Sequence, residues 1–158
     1  FVGPCSAKKF EAAYLDVQNS VDFVITYEEI NAMMIAKGID LAKLEPTQKL
    51  NHASVDGRGF AISGGVLSAV ENVVKRLDPD RVIKVEKAQT LSECKKLLML
   101  AKAGKRDGYI IEGMACPGGC VGGAGTIIHQ TRASANVTNF ARSSERSSAL
   151  KTYEESKP

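Results

Sequence analysis

Between Glu112 and Thr126 the chain reads E-G-M-A-C-P-G-G-C-V-G-G-A-G-T, so that six glycines share the stretch with a pair of cysteines. Cys116 and Cys120 are separated by three residues, Gly118 and Gly119 among them, and Gly122, Gly123 and Gly125 follow. Glycine backbone approaches a bulky group closely, and its freedom at positive φ lets successive N–H groups turn inward. Thiolates are soft ligands suited to iron–sulfur clusters or zinc. By itself the stretch fits a loop wrapped around an inorganic ligand. It also fits a glycine-rich turn that carries two buried thiols.

The opening residues, F-V-G-P-C-S-A-K-K-F-E-A, place Cys5 after a Gly-Pro turn and before Lys8 and Lys9. G-P-C-S-A-K-K-F-E resembles the second cluster-binding signature of the iron-iron hydrogenases, M-P-C-x-x-K-x-x-E. E-G-M-A-C-P-G-G-C-V-G-G-A-G resembles their third signature, E-x-M-A-C-x-x-G-C-x-x-G-G-G. Between them, G-R-G-F-A-I-S-G-G-V-L-S-A-V is similar to the family segment I-F-G-x-T-G-G-V-M-E-A. The order and the long separation agree as well. The first signature, T-S-C-C-P-x-W, is absent from these residues. The resemblance therefore implies that residues 1–158 are a C-terminal part of the iron hydrogenase large-subunit domain. It implies an α/β fold, a parallel or mixed sheet flanked by helices, forming one lobe of the two-lobed H-cluster domain.

The same resemblance implies a site. Cys5 and Cys116 match terminal ligands of a 4Fe–4S cubane, and Cys120 matches the bridge from cubane to diiron subsite. The fourth cubane ligand would come from the first signature. Lys8 matches a lysine that donates a hydrogen bond to a cyanide ligand of the distal iron, reasonable physics because a cationic donor is strong in a dry pocket. Met114 matches a residue packed against the diiron subsite, and Phe60 an aromatic near it. Gly3, Pro4, Gly118 and Gly119 match positions that shape the cofactor pocket. The diiron subsite carries its own carbonyl, cyanide and bridging dithiolate ligands, so the protein contributes placement and electrostatics. The implied reaction is reversible oxidation of dihydrogen to protons and electrons in anaerobic metabolism, with an electron carrier such as ferredoxin and the remaining N-terminal part of the protein as partners.

Departures from the signatures point to a second role. Gly3 stands where efficient members carry Met, Ala124 replaces a glycine, and Thr126-Ile127 replaces Gln-Pro. These resemble the family's sensory branches, which implies a hydrogen sensor using the same cofactor. A third reading is a non-catalytic iron–sulfur or zinc module, or an assembly factor; Lys8 and Met114 argue against it, since cubane or zinc binding needs neither.

Composition narrows the partners. A net charge of +3 over 158 residues, without a lysine–arginine block, gives no basis for nucleic acid. No apolar run approaches the roughly 20 residues that span a bilayer. Four cysteines do not resemble a secreted disulfide framework, and reduced thiolates point to the cytoplasm.

Local patterns outline the elements. Val21–Ile25 reads as a short strand, and Thr26 and Glu29 form a capping box before a helix that ends at Gly38, with Met33 and Met34 as core. Residues 40–59 read as a long connection, with His52 on its surface. Phe60–Gly65 leads into a helix with an apolar face of Val66, Leu67, Val70, Val73, Val74 and Leu77. Asp78-Pro79-Asp80 ends it, and Arg81–Val85 reads as a strand. Thr90 and Glu93 mark a second capping box, opening a helix to Gly104 in which Cys94 is a buried structural thiol. Tyr109–Ile111 is a strand that runs into the cysteine loop, as ligand loops do at carboxyl ends of strands. Residues 132–142 and 144–156 read as surface helices. Lys9 is expected on the surface, Glu11 in a structural ion pair, and His129 without a role.

Overall fold

The computed structural model describes residues 1–150 apart from 15, 18, 49–52 and 149. His52 lies outside the described residues, as does most of the helix expected over 144–156, of which 144–148 are not helical. The architecture is α/β. Helices α1 (Ala7–Glu11), α2 (Tyr27–Ala36), α3 (Val55–Arg58) and α4 (Gly65–Leu77) precede strand β1 (Lys84–Gln89), helix α5 (Leu91–Lys102), strand β2 (Tyr109–Met114) and helix α6 (Gln130–Arg142). β1 and β2 pair in parallel, from Lys84 opposite Tyr109 to Gln89 opposite Met114. α5 is the crossover that a parallel pair requires. α4 and α5 both pack on β2, and α3 lies against α4 and α6.

Short-range capping forms the helix ends where the sequence marks them. Thr26 accepts the Glu29 N–H, and the Glu29 carboxylate accepts the Thr26 N–H at 2.8 Å. Gly38, at φ 70°, closes the same helix: its N–H reaches Ile35 O, and the Ile39 N–H reaches Met34 O. That is the paired bonding of a Schellman end, which favours glycine at the left-handed position. The second capping box is half-formed. Thr90 accepts the Glu93 N–H, but the Glu93 carboxylate takes the Gln89 N–H instead of that of Thr90.

Other expectations give way to tertiary context. Val21–Ile25 is not a strand; Ile25 makes only an isolated parallel bridge to Val2. Phe1 and Gly3 supply the partners, accepting from and donating to Ile25 at 2.9 and 3.0 Å. The strand expected at Arg81–Val85 begins instead at Lys84 and runs to Gln89, because its register follows β2. Val82, outside it, is 90% exposed. Met33 is also exposed, and of the α4 face Leu67 is buried while Val70 and Leu77 face outward. The core is thin, made of Leu67, Leu97 and Val121 with the small residues Ala69, Ala88, Ala133 and Ala141.

Lys9 does more than sit in solvent. Its Nζ donates to the Val24 carbonyl at 2.9 Å and to both Glu29 carboxylate oxygens at 3.0 and 2.8 Å, tying α1 to the start of α2. The Lys9 hydrogen bond, then the Thr26 N–H, holds the Glu29 carboxyl below its ordinary 4.5. A depressed carboxyl contributes stability that is present above its ordinary value and lost as pH falls through the folded one. Glu29→Gln should therefore lower the melting temperature at neutral pH and converge with the native chain in acid. Parallel melting profiles across that range would show that Glu29 is not coupled to folding.

Candidate metal centre

The carboxyl ends of β1 and β2 lie side by side, and the chain leaving β2 forms the cysteine loop. Its glycines are fitted to protein backbone. Gly119 is buried, with φ 100° and ψ −160°, a region that is essentially glycine's alone. A Cβ there would stand 2.5 Å from Ser63 N and 2.7 Å from Ala61 O. Gly118, at φ 79°, donates its N–H to Gln89 Oε1 at 2.6 Å, and its carbonyl accepts from Ser63 N–H at 2.9 Å. Both glycines thus hold the loop against residues 61–63 and the end of β1. Within the loop, Gly119 N–H bonds Cys116 O at 3.1 Å and Gly123 N–H bonds Cys120 O at 2.9 Å.

The opening segment closes on the same loop. Gly125 N–H donates to Pro4 O at 3.0 Å, and Tyr27 N–H donates to Gly125 O at 3.2 Å. The Pro4 carbonyl also lies against Gly123, and Thr26 Cβ stands 2.6 Å from where a Gly125 Cβ would be. Cys5 follows Pro4 directly, so these backbone ties bring it to the Cys116–Cys120 turn.

Burial is the largest influence on the Cys120 thiol and pushes it up; the charges of Cys5 and Cys116 push it further, while the Lys8 ammonium pulls it down. Cys120 is exposed as a whole residue, yet enough protein surrounds its sulfur for desolvation to dominate. Lys8 is raised, first by its hydrogen bond to Glu11 at 2.6 Å, with Cys5 and Cys120 adding to it. Glu11 thus makes the expected ion pair. Lys8→Ala should move the pH at which Cys120 becomes alkylatable still higher, because the cation that stabilises its thiolate is gone. Iodoacetamide rates against pH, read at Cys120 by mass spectrometry in the metal-free protein, check this; an unmoved midpoint would separate Lys8 from the thiols.

The other expected residues fall around this centre. Met114 ends β2, and its carbonyl faces the Cys94 thiol at 3.7 Å. Phe60 is 43% exposed in the turn Gly59–Ala61, one residue before the carbonyl that crowds Gly119. Gly3 is buried, and the position of a Cβ on it is filled by the Phe1 ring at 2.7 Å, so no open space is left there. Cys94 is half-buried beneath the strands, its thiol directed at Ala88 O and Met114 O. An apolar cavity of about 350 Å³ adjoins the loop, lined by Pro4, Met34, Ala61, Val121 and Val137 among others. No cysteine lines it.

Other residues here have roles that the sequence reading did not assign them. Gln89 holds Gly118, and Thr90 after it has φ 77°, the single positive-φ residue other than glycine among the described residues. Glu112 is 9% exposed and receives the N–H groups that open α4. His129, expected to be without a role, caps α6 by accepting the Thr131 N–H.

An all-thiol donor set of Cys5, Cys116 and Cys120 fits an iron–sulfur cluster by chemistry, since such clusters are held by cysteine thiolates. Among the described residues, no three His, Cys, Asp or Glu side chains are gathered closely enough to hold a single metal ion. Nor, among them, is any helix long and apolar enough to cross a membrane.

A cysteine-bearing loop at the end of a parallel strand pair, closed by a second cysteine segment, defines the class of α/β domain seen here. The family described as iron only hydrogenase large subunit, C-terminal domain, matches residues 1–124, and the chain belongs to it. The periplasmic Fe hydrogenase large subunit of Nitratidesulfovibrio vulgaris is 30% identical, over 77% of this chain and 37% of that protein. Iron hydrogenase 1 of Clostridium pasteurianum is 29% identical, over 78% of this chain and 27% of its own length. The chain thus spans well under half of these curated relatives. In structure it is similar to a variant of the FeFe-hydrogenase HydA1 from Chlamydomonas reinhardtii, with a TM-score of 0.62 and 22% identity, covering 98% of this chain and 56% of that one. That likeness shows the fold.

Proposed function

We propose that this chain holds part of an H-cluster, with Cys5 and Cys116 as terminal ligands of a 4Fe–4S cubane and Cys120 as the bridge to a diiron subsite. One observation carries the reading. Cys5 and the Cys116–Cys120 turn, over a hundred residues apart in sequence, are drawn together by the Gly125 N–H to Pro4 O bond and the packing of the Pro4 carbonyl on Gly123. When bound, the cluster supplies reversible oxidation of dihydrogen to protons and electrons. The chain's own residues place the sulfurs, hold the Lys8 ammonium near them and pack Met114 and Phe60 around the subsite. Pro4, Gly3, Gly118 and Gly119 shape the backbone that admits it. Lys8 would exchange its Glu11 partner, or share it, to donate toward a cyanide ligand.

Three thiolates leave one cubane position open. Cys94 points at strand carbonyls and does not fill it. The fourth ligand then comes from a preceding segment of the full protein, which would also cover apolar surface such as Phe10 and Phe23, each 75% exposed. The electron carrier is of the ferredoxin type, and the setting is the cytoplasm, where thiols stay reduced. The sensory role is the second reading, motivated by the departures from the family signatures at Gly3, Ala124 and Thr126-Ile127, although the Phe1 ring fills the space beside Gly3.

Anaerobic reconstitution of the full-length protein, with iron quantification and infrared spectroscopy, tests the assignment. Carbonyl and cyanide bands with six irons per chain are expected, the count of one cubane plus one diiron subsite on the order of the cluster type described. Zinc in place of iron, or iron without those bands, would replace it with a simple metal module.

A further inference from the structure

We propose that Glu112 is the positioning residue of the cysteine loop, a buried carboxylate that fixes Cys116 by clamping the end of β2 to the start of α4. The proposal rests on the reading that Cys116 ligates the cluster. α4 opens at Gly64, whose φ of 90° and missing side chain leave the helix without a cap of its own. Glu112, 48 residues away and on another element, supplies it. One carboxylate oxygen accepts the Gly64 N–H, and the other accepts those of Val66 and Leu67 at 3.1 and 3.2 Å. Three donors and the positive end of a helix dipole converge on one carboxylate, so both oxygens are engaged and the group is held in place.

The clamp acts on the loop because the same segment is gripped again beyond Cys116. Ser63 N–H donates to Gly118 O at 2.9 Å, and Gly119 is pressed against Ser63 and Ala61 backbone. Residues 61–67 therefore hold the chain at Glu112 on one side of Cys116 and at Gly118–Gly119 on the other. Cys120 lies outside that bracket and is kept in place by downstream ties, the Gly123 N–H to Cys120 O at 2.9 Å and the Gly125 N–H to Pro4 O at 3.0 Å. Cys5 depends on Pro4 and Gly125, not on α4. Removing the Glu112 charge should release Cys116 most, Cys120 less and Cys5 not at all. A merely structural role for Glu112 would loosen all of them together.

The test uses the full-length protein in its metal-free form and the isosteric variant Glu112→Gln, whose amide presents a second donor to N–H groups. Alkylation of each cysteine by iodoacetamide is followed by mass spectrometry. Cys116 should react faster by roughly tenfold, the population change that loss of one charge-assisted hydrogen bond produces, with Cys5 unchanged. After reconstitution, the electron paramagnetic resonance line shape of the reduced cubane should also change. Equal acceleration at Cys5, Cys94 and Cys116, or none anywhere, overturns the proposal. Should the variant fail to fold, hydrogen exchange of the native protein decides. The amides of Gly64, Val66 and Leu67 should then open in one unit with those of Gly118 and Gly119, and independent opening overturns the clamp. If the native protein takes up no iron, the cluster reading falls, while the alkylation pattern still reports on Glu112.

Discussion

Replacing Gly119 with alanine should open the cysteine loop or unfold the domain around it. Two penalties combine at this position. Its backbone lies at φ 100° and ψ −160°, where a residue with a Cβ is strained by about 1–3 kcal/mol. The added methyl also meets Ser63 N and Ala61 O, both backbone atoms, and forced overpacking costs a further ~1–3 kcal/mol. Against a total stability of about 5–15 kcal/mol, that loss is a large fraction. Gly118→Ala is the control: its Cβ would meet side chains alone, the far end of Gln130 at 3.3 Å and Val121 Cγ2 at an ordinary 3.8 Å, so the cost is mainly that of backbone conformation, about 1 kcal/mol. Thermal or urea denaturation of both variants compares them. Equal losses would mean that conformational freedom, and not the close approach to residues 61–63, is what the loop needs from glycine.

Substitution of Cys120 by serine should abolish assembly of the complete cofactor, because a hydroxyl does not replace a soft bridging thiolate. Changes to mere partners of metal ligands already weaken binding by about 10–100-fold, so loss of a ligand should exceed the upper end of that range. Cys5→Ser and Cys116→Ser should lower cubane loading as well, whereas Cys94→Ser should leave it intact, its thiol being turned to Ala88 and Met114 carbonyls. Iron content and the visible absorption of the cubane, measured after identical reconstitution, distinguish the four variants. A Cys120→Ser protein with native iron content, or a Cys94→Ser protein without iron, would reverse the ligand assignment. Since burial and neighbouring thiolates hold the Cys120 thiol above its ordinary range, loading of the native protein should improve as pH rises toward the alkaline side.

The candidate site was legible in the sequence through its cysteines, its glycines and Lys8, because each carries its chemistry in its own side chain or in the lack of one. The helix ends at Thr26, Gly38 and Gly104 were legible for a related reason: capping is satisfied within a few residues, so the necessary partners lie in the same stretch of sequence. β1 was not. K-V-E-K-A-Q has little of the pattern of a strand, and these residues are extended because β2 offers them a ladder of parallel bonds. Val21–Ile25 has the composition of a strand, but only Phe1–Gly3 meets it, so one bridge forms. Glu112 reads as one residue of a cysteine signature; that it caps α4 follows from packing that brings β2 to a helix start 48 positions earlier. Sequence alone determined which atoms could ligate and where helices end, since those depend on residue type and near neighbours. Tertiary structure decided which backbone became strand and which carboxylate was buried, since hydrogen-bond partners distant along the chain exist only once the fold supplies them.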